Sequence, residues 1–240
     1  MTEPRTLKAA ITGLLGLAAT EEQVLLAGCP PDETGSPSNW AALPVVAHNT
    51  EFKSQQVHRL TAIRLNQVPD DFAEIDHADA AVYQGYAAWP ADNVAAESFR
   101  VTGELIDGLA ATGADDLSDP SRHSWLKGRQ LWLQIVVRGF WHPTGHLADY
   151  YLSRDQPDRA VALAAHALTT ARYLSVPGEA LGMASYNLAC AQAKAGRLDD
   201  AAAAVRETIA LNPGLRAKVG TEPDLAALRE SGVLEAARVS

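Results

Sequence analysis

Apolar residues recur every three or four positions along most of the chain. No apolar–polar alternation bounded by turn residues persists long enough to make a strand. The pattern predicts helices. The first runs from about Thr6 to Ala27 and stops at Gly28-Cys29-Pro30-Pro31, before the turn-rich loop Asp32-Glu33-Thr34-Gly35-Ser36-Pro37. A second, capped by Ser38 or Asn39 or else starting at Pro44, carries Trp40, Leu43, Val46, Phe52, Val57, Leu60 and Ile63. Residues 67–80 are polar and irregular. A third, from Pro90 to about Ala111, turns Val94, Phe99, Val101, Leu105, Ile106 and Leu109 inward, and Gly113 to Ser121 is a polar loop. A fourth, from about Trp125, carries Leu131, Trp132, Leu133, Ile135, Val136, Val137, Phe140 and Trp141. Four long helices joined by loops, with apolar faces wide enough to close one core, predict a four-helix bundle over residues 1–154.

The remainder repeats itself. Residues 146–168 align without gaps on residues 187–209 at an offset of 41, matching Leu147 to Leu188, Ala148 to Ala189, Asp158 to Asp199 and Ala160 to Ala201. Each copy reads as a helix, a short polar turn and a second helix with small residues on its packing face, the signature of stacked helical hairpins. If the earlier copy is a true repeat, the end of the fourth bundle helix is also the first helix of the hairpin array. Residues 178–213, ending in Leu211-Asn212-Pro213, resemble a tetratricopeptide repeat, and Leu215–Lys218 with Glu222–Arg229 resembles the cap that follows such repeats. The expected organisation is an all-α chain, 1–154 followed by a hairpin tail at 155–240.

Charge narrows the partners. Residues 1–155 hold 11 Lys and Arg against 20 Asp and Glu, net −9, whereas residues 156–240 are neutral. An acidic surface without a basic stripe disfavours direct contact with nucleic acid. The apolar run Ala9 to Ala19 is too short to span a bilayer, so no membrane segment is expected. Two cysteines, Cys29 and Cys190, make no disulfide framework and have no metal-spaced neighbours, which points to a reducing, cytoplasmic compartment.

The candidate chemistry lies in histidine. His142 and His146 are four apart, on one side of a helix. His48 sits among Leu43, Val45, Val46, Ala47 and Phe52, on the inward side of the second helix. An i, i+4 pair plus one imidazole from a neighbouring helix makes a three-nitrogen face, which suits a divalent metal, zinc or nickel foremost, with iron and cobalt also accepting imidazole. His58 falls about 80° from His48 around the helix, toward solvent. His77 and His123 lie in polar loops and His166 in the tail. Glu51, one turn from His48, is a candidate proton carrier or an acceptor for a ligand imidazole N–H, and Asp149, one turn from His146, is the same or a surface carboxylate. Tyr83 and Tyr150 read as packing residues near the site.

Trp40, Val46-Ala47-His48-Asn49-Thr50-Glu51 and His142-Pro143-Thr144-Gly145-His146-Leu147 together resemble the DinB-like four-helix-bundle superfamily. The stretch Asp76-His77-Ala78-Asp79 through Val82-Tyr83, with Trp89-Pro90, is similar to its ClbS/DfsB-like branch. The resemblance covers about residues 8–154. It implies His48, His142 and His146 as ligands of a divalent metal, and a hydrolase or thiol transferase that attacks an electrophilic, genotoxic small molecule. The repeat, with no general acid or base established, motivates the alternative: a ligand-sequestering or resistance protein without turnover, whose hairpin tail recruits a protein partner. Pro143 departs from a plain helix: either the helix kinks there, or His142 is an N-cap and a new helix starts at Pro143.

Overall fold

A computed structural model describes residues 4–30, 33–71 and 80–233, and among these the chain is all helical, with one isolated bridge between Ser36 and Asn39. Two compact units divide it, residues 1–143 and 144–240, so the division falls inside the last predicted bundle helix rather than at residue 154.

The first unit contains α1 (Pro4–Gly28), α2 (Ala42–Arg64), α3 (Ala80–Ala87), α4 (Ala91–Ala111), α5 (Ala114–Ser118) and α6 (Leu131–Val136). A π turn, Val137–Trp141, follows α6 and leads into α7 (His142–Ser153). α2 packs on α4, α1 packs on both, and the π turn lies against α1 and α2. Ile11, Leu14, Leu15, Ala18, Val46, Leu105, Leu109, Leu131, Ile135 and Phe140 fill the interior. α1 is long and apolar enough, by length and composition alone, to cross a membrane, which the shorter run Ala9–Ala19 did not suggest.

Five expectations are corrected. Phe99 is 75 % exposed rather than inward, because the inward position on that turn of α4 belongs to Ser98. α2 is capped by neither Ser38 nor Asn39, whose neighbourhood is taken up by a tight turn in which Ser36 and Asn39 exchange backbone hydrogen bonds. The Glu33 carboxylate instead accepts the Ala42 N–H at 2.8 Å, supplying an anion where the first turn exposes its donors. Trp40 therefore precedes α2 rather than lying on it. The fourth long helix begins at Leu131, preceded by a single 3₁₀ turn at Ser124–Leu126 rather than by helix from Trp125, and Ala114–Ser118 places a helical turn in the predicted loop.

A buried ion pair ties α1, α2 and α4 together. Lys53 Nζ donates to Glu22 Oε2 at 2.6 Å and to the hydroxyls of Ser98 and Thr102 at 3.4 and 3.2 Å, and Ser98 donates to the same Glu22 oxygen at 2.7 Å. Lys53 and Glu22 are 1 % and 0 % exposed. Charges this deep persist only when paired and hydrogen-bonded.

In the second unit, α8 (Pro157–Tyr173), α9 (Gly178–Lys194) and α10 (Leu198–Leu211) are followed by α11 (Arg216–Thr221) and α12 (Ala226–Glu230). α9 packs on α8 and on α10, with Ala160, Ala164, Ala171, Ala180, Ala184, Ala189, Ala201 and Ala202 letting the backbones approach closely. The turns after α7 and α9 share one hydrogen-bond pattern at the offset read from the sequence. Asp155 N–H bonds Leu152 C=O and Gln156 N–H bonds Tyr151 C=O; Gly196 and Arg197 do the same to Ala193 and Gln192. Asp155 (φ 56°) and Gly196 (φ 75°) both occupy the left-handed region. Nothing lies within 4 Å of a Cβ built on Gly196, so its side-chain tolerance is a backbone matter alone. Gly196→Val is expected to cost about 1–2 kcal/mol in thermal or urea unfolding, whereas Asp155→Gly is expected to be neutral or slightly stabilising.

Candidate metal centre

The segment before α2 builds one wall. With the Ser36–Asn39 turn closed and the Trp40 indole N–H held by the Pro37 carbonyl at 3.0 Å, the Trp40 ring lies 5.4 Å, edge to face, from the ring of His48. His48 is fully buried nearly two turns into α2. Phe52, one turn on, meets the His48 ring at 4.6 Å and the His142 ring at 4.4 Å. Tyr86 on α3 closes the far side, its ring 5.2 Å from His48 and 5.7 Å from Trp40, and Tyr83 packs on Trp40 at 5.6 Å. Aromatic faces on three sides keep bulk water from the imidazole.

The π turn brings the second imidazole to it. His142 has ordinary helical dihedrals, φ −62° and ψ −49°, and its N–H bonds the carbonyl of Val137, five residues back. His142 is therefore not an N-cap, and the helix does not restart at Pro143. Widening by one residue is the accommodation that a proline without an N–H, whose ring would collide with the carbonyl four residues back, calls for. His48 Nε2 and His142 Nε2 stand 3.0 Å apart. His146 follows one turn later on α7, and each of the three histidines offers a ring nitrogen within 4.8 Å of the others.

This donor set fits a divalent cation. Imidazole nitrogens about 2.0–2.1 Å from a common tetrahedral centre are roughly 3.3 Å from each other, close to the His48–His142 separation. Three neutral nitrogen donors, no carboxylate among them, suit zinc and nickel better than magnesium or calcium.

Glu51 lies one turn from His48, and its Oε2 accepts a short hydrogen bond from the Tyr86 hydroxyl. Burial, then the bond to Glu51 and its charge, pushes the Tyr86 phenol pKa well above its usual range, so the phenol remains a donor. Asp149 is exposed and takes the Lys194 ammonium at 2.8 Å, the surface-carboxylate role. His58 and His166 are exposed. His123 lies 3.3 Å from Asp116 and 5.7 Å from the Trp125 ring. His77, with the Asp76–Asp79 stretch, lies outside the described residues. Tyr83 and Tyr150 are buried packing residues, as expected. Tyr86 went unnoticed in the sequence because nothing about a tyrosine in a short Ala-rich segment announces contact with a residue 38 positions earlier. Arg138, whose guanidinium lies 4.6 Å over the Phe52 ring, was missed too, although its place one turn before His142 was a usable signal.

Comparisons with protein-family models, with curated proteins and with solved structures returned no match to this chain.

Proposed function

We propose that this chain is a metal-dependent enzyme of small-molecule chemistry, built on a DinB-like four-helix bundle of the ClbS/DfsB-like type and carrying a tetratricopeptide-like hairpin tail. Its reaction is attack by an activated water or thiol on an electrophilic substrate of the genotoxic small-molecule kind, as a hydrolase or thiol transferase. The observation that carries this reading is the approach of His48, His142 and His146 within a common 4.8 Å. A divalent metal held there supplies Lewis acidity and draws the pKa of water or a thiol toward neutrality. The chain's own part is to orient and to dry the site. Glu51 takes or returns a proton one turn from His48, with the Tyr86 phenol fixing its carboxylate. Trp40, Phe52 and Tyr86 exclude water around His48.

Metal analysis tests it. Untagged protein reloaded with zinc or nickel is expected to retain about one equivalent after dialysis, and His48→Ala/His142→Ala to retain almost none. Less than about a tenth of an equivalent in the reloaded parent chain overturns the reading.

The shared turn geometry of the hairpins after α7 and α9 favours a second reading, a sequestering protein without turnover whose tail recruits a partner. Incubation with a panel of strained-ring electrophiles separates the two. Recovery of every compound unchanged, in bound form, supports sequestration, and appearance of a ring-opened product excludes it.

A further inference from the structure

The buried ion pair between α1, α2 and α4 leaves one of its own atoms unserved. The Lys53 ammonium has three protons, and they go to Glu22 Oε2, Ser98 Oγ and Thr102 Oγ1. The Ser98 hydroxyl proton goes to the same Glu22 oxygen. Both donors thus converge on Oε2, and the other carboxylate oxygen, Oε1, is buried with no hydrogen-bond partner among the described residues. An acceptor carrying part of a negative charge demands a donor most strongly in a low-dielectric interior.

Asn49 is a second such group. It is fully buried, and neither Oδ1 nor Nδ2 of its carboxamide has a partner. Asn49 precedes Lys53 by one turn of α2, about 40° away around the helix, so the two share a face. Helical side chains lean toward the N-terminal end, so the Lys53 stem runs back over Asn49 and brings the ammonium, with Glu22, toward the carboxamide. The neighbouring helices offer Asn49 nothing polar at its own level. α4 runs alongside α2 in the same sense, since Lys53 meets Ser98 and Leu60 lies against Gly108, and one turn before Ser98 its buried residue is Val94. α1 ends near the start of α2, where Glu33 accepts the Ala42 N–H, so the buried α1 residue one turn beyond Glu22, on that side, is Leu25.

What completes both groups has to donate to Glu22 Oε1 and accept from Asn49 Nδ2. The Lys53 ammonium repels a cation from this place, and the Glu22 carboxylate repels an anion. Asn49, Ser98 and Thr102 are short side chains in the middle of a packed bundle, so the guest is small as well as neutral. We infer that at least one internal water molecule is bound between Asn49 and Glu22, donating to Glu22 Oε1 and accepting from Asn49 Nδ2, as a fixed member of the core of the first unit. The site is independent of the three-histidine centre and of any reaction there.

Oxygen-17 relaxation dispersion of the full-length chain in enriched water tests this, because only waters held for longer than the molecule takes to tumble contribute to it. Asn49→Leu, which keeps the branched shape and removes the carboxamide, is expected to lose at least one such water. Glu22→Leu/Lys53→Met is expected to lose it too, since the acceptor is gone. Asn93→Ala, at an exposed position in the first turn of α4, is expected to keep the parent count. Equal counts in the parent chain and in Asn49→Leu overturn the inference, and so does full retention in the double variant. If the variants do not fold, the parent chain decides. Rotating-frame NOE spectra are expected to show a dipolar cross-peak between the Asn49 carboxamide protons and water, opposite in sign to chemical exchange. Absence of that cross-peak overturns the site.

Discussion

Lys53→Met is expected to cost the first unit about 3–5 kcal/mol, the penalty for leaving the other member of a buried ion pair without its counter-charge. The carboxylate left behind is that of Glu22, fully buried between α1, α2 and α4, with only the Ser98 hydroxyl remaining as a donor on its Oε2. Glu22→Gln should be damaging in the same direction, because the lysine then lacks its anion. Glu22→Leu/Lys53→Met, which removes both charges at once, is expected to recover most of the loss, since an apolar pair of similar volume is often as stable as the ion pair it replaces. All five tryptophans lie within residues 1–143, so urea unfolding followed by tryptophan fluorescence reports on this unit selectively. Single variants within about 1 kcal/mol of the parent chain would show that the pair is far better solvated than its burial indicates.

The second large effect belongs to α9. A Cβ on Gly182 would stand 2.5 Å from the Asn212 Cβ, 3.1 Å from its backbone nitrogen and 3.3 Å from the Thr208 carbonyl oxygen. Two of those three are backbone atoms at the end of α10, so the helix pair has to separate rather than a side chain swing aside. Gly182→Ala is expected to destabilise the second unit by about 1–3 kcal/mol, after the roughly 1 kcal/mol that alanine's helix propensity returns. Faster amide exchange across Gly178–Leu211, with a lower far-UV melting midpoint, is the expected signature. Gly103→Ala is the contrast: nothing lies within 4 Å of its Cβ on α4, so only propensity operates and stability is expected to rise by about 1 kcal/mol. Equal responses at the two glycines would refute the packing argument.

These two sites also mark how far the sequence could be read. Periodicity located α1, α2 and α4 because their apolar residues are long runs on one face, and Val94, Val101, Leu105 and Leu109 are buried as that pattern requires. It failed at Phe99 for a physical reason. The inward position on that turn is needed by Ser98, whose hydroxyl serves the Glu22–Lys53 pair, and no hydropathy pattern anticipates a buried charge. The three histidines were legible because an i, i+4 pair is a local geometric statement and His48 sat in an apolar run. Glu33 at the start of α2 and Tyr86 on Glu51 were not legible. Each depends on residues 9 or 35 positions apart that only the tertiary path brings together.

The five-residue hydrogen-bonding step at Val137–Trp141 makes the placement of His142 a matter of counting. A helix advances about 100° per residue, so a chain one codon shorter in this stretch would keep Leu131–Val136 in register and turn His142 a quarter of the way round, away from His48. The motif would survive intact in such a chain while His142 no longer faced His48. A single insertion is thus enough to turn a helix that merely packs into one that sets an imidazole against His48.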